Sequence, residues 1–177
     1  TDNNTSELLV EATNNSELLN IAASFGISQK VGIVGSISVN EITDNTTAKV
    51  DNSYTDEDDN EIVLNGMNLN NLSKAEVKSS DDARLLSLAG NVAGGGTCGL
   101  GGSVSHSKID GETSANLIDA TISAREIDVD ATNESSIFSW AAGIGGAGTV
   151  AAQGALANAD LNRTVKSQVD NVTANNS

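Results

Sequence analysis

The stretch RLLSLAGNVAGGGTCGLGGSVSHSKID, Arg84 to Asp110, decides the fold, because versions of it stand before and after it in the chain. LLNIAASFGISQKVGIVGSISVNEI (Leu18 to Ile42) and IFSWAAGIGGAGTVAAQGALANADL (Ile137 to Leu161) align with its Leu85 to Ile109 portion without a gap, at offsets of 67 and 52 residues. Self-similarity in a fixed register is the mark of a stacked repeat array.

Each copy alternates with period two, which means strand. In the second half the repeating columns are Val31, Ile33, Gly35, Ile37, Val39, then Cys98, Leu100, Gly102, Val104, His106, then Val150, Ala152, Gly154, Leu156, Asn158. In the first half Leu19, Ile21, Ala23 and Phe25 match Leu86, Leu88, Gly90 and Val92, and then Phe138, Trp140, Ala142 and Ile144. Each copy therefore holds two strands joined at a glycine-rich corner. Helix is disfavoured, since every glycine in one costs roughly 1 kcal/mol relative to alanine. The large apolar columns are expected to point inward.

Working outward, Leu8, Val10 and Ala12 align at the same offsets with Ala75, Val77 and Ser79, and with Ile127, Val129 and Ala131. A strand thus precedes each central pair. Alternating segments also follow it, at 46–52, 113–121 and 164–171. Read as four short strands per 52 residues, this gives about two coils per repeat and six or seven in all. The expectation is an all-β chain, a right-handed parallel β-helix (β-solenoid), made of about three repeats (1–52, 69–121 and 122–177) and cut from a longer array.

The unequal offsets place an acidic insertion at 53–68, SYTDEDDNEIVLNGMN, expected as a loop or hairpin on one face. Asp56, Asp58, Asp59 and Glu61 are a calcium candidate by ligand type, although the spacing lacks the EF-hand pattern and a solvated acidic loop is the ordinary reading. Tyr54, Asp56, Glu57, Asp58, Asp59 and Glu61 form a candidate partner-binding loop.

Composition excludes several classes. A net charge of −15 and a pI near 4.1 oppose binding to nucleic acid or anionic membranes. With 2% aromatics and no proline, no aromatic-rich globular core is available. The lone Cys98 reads as a small apolar core residue, Trp140 as core, and the lone His106 as a strand-end residue without a visible dyad partner. The uncharged run 137–159 is long enough for a membrane helix, but its sister copies carry Asn20, Gln29, Lys30, Asn91 and His106, so no membrane-spanning segment is expected. No catalytic residue, metal or cofactor is expected.

The pattern from Ser87 to Ala124, repeated from Ser139 to Asn171, resembles the repeat of leukotoxin LktA-family filamentous adhesins of fusobacteria: an apolar strand, an Ala/Gly corner, a G-G-S-V strand, then a polar T-x-A turn. That resemblance implies a non-enzymatic segment of a very large secreted or bacterial cell-surface protein, a rigid stalk and host-cell binding surface. Its partners would be a host-cell surface protein or glycan, with end-to-end or side-by-side self-association. The alternatives it leaves open are a cytotoxin segment acting on leukocyte membranes and a purely structural extracellular spacer. It supplies no catalytic residues.

Overall fold

The structure, a computed structural model, describes residues 6–55, 61–63 and 68–174. In chain order the strands are β1 (Ser6–Ser28), β2 (Val31–Asp51), β3 (Ser53–Thr55), β4 (Glu61–Val63), β5 (Asn68–Gly95), β6 (Cys98–Ile118), β7 (Thr121–Asn133), β8 (Ser136–Ala147), β9 (Val150–Asp170) and β10 (Thr173–Ala174). One parallel sheet holds β1, β5, β7 and β10, with β8 also on β5, and a second holds β2, β6 and β9. The chain passes from one sheet to the other at each corner, so the two sheets are the walls of a parallel β-solenoid.

The register is that of the internal repeat. Leu18 pairs with Leu85 and Leu85 with Ile137; Val31 pairs with Cys98 and Cys98 with Val150; Val10 pairs with Val77 and Val77 with Val129. Within the insertion, β3 and β4 pair antiparallel, Ser53 opposite Val63 and Thr55 opposite Glu61.

Two expectations are corrected. The first is the coil count. Each repeat forms one flattened coil, with walls such as β2 and β6 of 21 residues each, rather than two coils of short strands. Runs such as Asn14–Asn15–Ser16 and Thr43–Asp44–Asn45 look like strand breaks because Asn and Asp favour turns. They do not break the strands, because the inward member of each finds a buried partner. Arg163, from the third coil, reaches between the walls to pair with Asp44 and Asp81 of the first and second coils. It also donates to the Asp110 carbonyl at 3.1 Å. Asn14 adds bonds of 2.8 Å to Asp44 and 3.2 Å to Asp81. Gly111, which stacks between Asp44 and Arg163 in the ladder, leaves room for the guanidinium and takes φ of 148°.

The second correction concerns facing. Val104, Ile37 and their columns point outward: Ile37 is 75% exposed and Val104 38%, whereas Ser38 is 2% and Ser105 0% exposed. Trp140 is exposed as well, and Cys98 is partly exposed between the outward Val31 and Val150. The cause is size. At the glycine corners the two walls touch backbone to backbone: a Cβ at Gly32 would strike the Gly94 carbonyl, and one at Gly99 would lie 2.8 Å from the Gly146 carbonyl. Mostly Ser, Ala, Gly and Asn fit between walls that close, with Val34 and Gln153 the larger inward side chains, so most of the branched side chains go outside.

The interior is therefore zoned along each strand. Farthest from the glycine corners lies an apolar cluster of Ala48, Val50, Ala75, Val77, Ala115, Leu117, Ala120, Ile122 and Ala124. The Arg163 cluster follows. A smaller apolar layer of Ala83, Leu85 and Ile109 comes next, with Leu18, Ile42 and Ile137 against it. Toward the corners comes a hydroxyl zipper that crosses between walls along the array: Ser38 to Ser87 at 2.9 Å, Ser87 to Ser105 at 2.8 Å, and Ser105 to Ser139 at 2.8 Å. Asn40 donates to both Ser38 (2.9 Å) and Ser87 (2.8 Å). These mutual bonds offset the burial of Ser38, Ser87, Ser105 and Ser139, since an unpaired buried hydroxyl costs about 1–3 kcal/mol.

Candidate interaction surface

The outside of the solenoid divides at one level on both walls. On the half away from the glycine corners the outward side chains are mostly polar, many of them charged and ion-paired, with Leu9 exposed among them. Lys74 lies 2.7 Å from Glu76 and 3.0 Å from Glu126, and Lys78 lies 2.7 Å from Glu76. The hydrogen bonds from Lys74 and then Lys78 hold the Glu76 carboxyl below its ordinary pKa, and the bond to Glu76 raises both lysines. On the other wall Lys108 pairs with Glu41 at 3.0 Å and Lys166 with Glu112 at 2.9 Å.

The half next to the corners is apolar outside. One wall presents Leu19, Ile21, Phe25 and Ile27 in the first coil, Leu86 and Val92 in the second, and Phe138, Trp140 and Ile144 in the third. The opposite wall presents Val31, Ile33, Ile37 and Val39, then Val104, then Val150 and Leu156. Over the three windows Leu18–Asn40, Leu85–Ser107 and Ile137–Ala159 the only Asp, Glu, Lys or Arg is Lys30, which sits at the corner itself. The boundary is sharp and in register: Glu17, Arg84 and Ser136 stack on one wall, and Glu41, Lys108 and Asp160 on the other.

Each apolar wall is grooved along the array axis by a column of small residues. On the first wall Ala23, Gly90 and Ala142 stack between two ridges, Ile21–Leu88–Trp140 and Phe25–Val92–Ile144, leaving a shallow depression of about 230 Å³. On the second wall Gly35, Gly102 and Gly154 stack in the same way. A solvent-facing apolar surface of this extent marks a contact site rather than ordinary surface.

The residues singled out from the sequence are not brought together here. Asp56, Glu57, Asp58 and Asp59 lie outside the described residues, and Tyr54 and Glu61 lie on the backbone-paired β3 and β4. Among the described residues no group of three or more His, Cys, Asp or Glu is placed to hold a metal. His106 stands in an outward column, where Asn158 donates to its Nδ1 at 3.1 Å. No helix among the described residues is long and apolar enough to cross a membrane, a statement that does not extend to strands.

Fold and surface together define a parallel β-solenoid whose walls are inverted over one half of their length, small and polar inside, apolar outside. Comparison with protein-family models, curated proteins and solved structures gives no match for this chain.

Proposed function

We propose that this chain is a non-enzymatic segment of a secreted or bacterial cell-surface filamentous protein of the adhesin and leukotoxin type, in which stacked coils make a stiff rod that carries a contact surface for a host-cell protein or glycan. The observation that carries this reading is the uninterrupted parallel ladder through three coils: β6 is paired along its whole length to β2 on one side and β9 on the other. Stacking of this kind gives length and stiffness with each coil touching only its neighbours. The β3–β4 hairpin interrupts that regularity, as insertions at solenoid binding faces do.

The test is binding of the labelled chain to leukocytes and epithelial cells over a concentration series, beside a variant lacking Tyr54 to Val63. Saturable binding that the deletion abolishes supports an adhesive segment with the hairpin as its contact. A correctly folded chain that binds neither cell type is a spacer. A second reading, action on host membranes, is favoured by one observation, the exposed apolar half.

A further inference from the structure

The apolar half presents an unusual set of dimensions. From the boundary at Glu17 to the corner at Ser28, and back from Val31 to Glu41, each wall runs 10 or 11 residues. At a rise of about 3.3 Å per residue this is about 33–36 Å. The hydrocarbon core of a bilayer is about 30 Å thick, and a strand crosses it in about 9–11 residues. The band is closed at both ends by polar groups. Glu17, Arg84, Glu41, Lys108 and Asp160 stand at one end, and Gln29, Lys30, Thr97 and Thr149 are exposed at the other. Alternation of outward apolar and inward small polar residues over about ten positions, ended by a turn, is also the pattern of strands that cross membranes.

Two occupants compete for such a surface, a second copy of the chain and lipid. A second copy seated on one wall leaves the opposite wall bare, yet here both walls are apolar over the same span. A bilayer covers both walls at once and needs the polar rims to lie at matching levels, as they do.

We propose that the apolar half of this solenoid embeds in the hydrocarbon core of a lipid bilayer, with the glycine corners at one headgroup level and the Glu17–Glu41 boundary at the other. This deepens the membrane reading above by naming what the surface contacts. The hydroxyl zipper suits the site, because Ser38, Ser87, Ser105 and Ser139 bond one another inside the walls. Among the described residues the outer edges of β1, β2, β8 and β9 have no strand partner, and backbone groups cannot be left bare in hydrocarbon. For the chain of 177 residues used in the test, embedded copies are expected to join edge to edge, so chemical crosslinking should trap oligomers only when vesicles are present.

The chain carries its own probe. Trp140 is the single tryptophan, outward and four residues from the Ser136 boundary, so it would lie about 13 Å into the hydrocarbon, close to the midplane. The experiment is tryptophan emission of the full chain titrated with phosphatidylcholine vesicles, followed by quenching with lipids brominated near the headgroup or near the chain ends. A blue shift with stronger quenching by the deep bromines is expected. Ile37→Arg, on the exposed face at the same depth, should lower partitioning roughly a hundredfold, while Asn15→Arg on the charged half leaves it unchanged. Both variants are checked for wild-type urea midpoints. Emission indifferent to vesicles overturns the proposal. So does stronger shallow quenching, which means surface adsorption, and so does a blue shift that grows with protein concentration without lipid, which makes a second copy the occupant. These outcomes are read on vesicles free of any receptor, so they stand apart from the cell-binding result.

Discussion

Arg163 is the most informative single substitution for the fold. Its side chain is 6% exposed and lies between Asp81, fully buried, and Asp44, 14% exposed. Arg163→Met keeps most of the volume and removes the only cation of the cluster. Taking one partner from a buried ion pair costs about 3–5 kcal/mol, because the remaining charge stays buried and uncompensated. Two carboxylates are left here. Asp81 keeps donors in Asn14 at 3.2 Å and Thr113 at 3.5 Å, and Asp44 keeps Asn14 at 2.8 Å, so the lower part of that range is expected. Against a total stability of about 5–15 kcal/mol this is a large fraction. Urea unfolding followed by circular dichroism should show the midpoint falling with little change in slope. Adding Asp44→Asn and Asp81→Asn to Arg163→Met should restore much of the loss, since the amides carry no charge. An Arg163→Met chain within about 0.5 kcal/mol of wild type, the range of ordinary surface changes, would refute the buried cluster and with it the continuous strands that depend on it.

Further outcomes follow from the same packing. Gly111→Ala should destabilise by more than about 1 kcal/mol, because the backbone is at φ 148° and a Cβ there meets the Asp44 carbonyl and lies 2.6 Å from the Arg163 guanidinium; urea midpoints measure it. Ser105→Asp should unfold the coil by burying an unpaired carboxylate at a cost of several kcal/mol, and Val104→Asp should be mild, both read by circular dichroism. The Glu76 carboxyl titrates lower when folded than unfolded because Lys74 and Lys78 bond its charged form. Its contribution is thus fully present above the ordinary glutamate pKa of about 4.3 and is lost as pH falls through the lower folded value. Glu76→Gln should flatten that acid limb of the stability curve, measured as urea midpoint against pH.

Apart from irregularities at Ser6/Glu7 and Leu69/Leu72, the register is legible in the sequence, because three ungapped copies fix which residues share a column, and Leu18, Leu85 and Ile137 stack as aligned. The facing of those columns is the reverse of the expectation, for a physical reason. A period-two pattern names two faces without saying which is inside, and a shift of one residue exchanges them. Size as the guide places Ile33, Ile37 and Val104 within. The correcting signal lay farther along the same strands. In β1 the even positions Leu8, Val10 and Ala12 alternate with the polar Glu7, Glu11 and Thr13, and in β2 Ala48 and Val50 alternate with Lys49 and Asp51. Carrying that parity through the strand puts Asn20, Ser24, Ser36 and Ser38 inside and Ile21, Phe25 and Ile37 outside, as observed. Treating Asn14–Asn15 and Asp44–Asn45 as breaks hid this continuity. Nothing local signals that their inward members are satisfied, because the partner, Arg163, comes from the third coil. The same inversion hides the apolar surface, since large side chains placed inward leave the outside of the walls small and polar.

The central claim, that the walls next to the glycine corners are polar inside and apolar outside, is tested most directly by thiol accessibility at adjacent positions. In a Cys98→Ser chain, single cysteines are introduced as Val104→Cys and Ser105→Cys, and their maleimide labelling rates are compared under native conditions and in urea. The inverted wall predicts rapid native labelling at 104 and protection at 105 that is released only with unfolding. Protection at 104 with rapid labelling at 105 would contradict it, returning the large apolar columns to the interior and removing the surface on which the membrane proposal stands.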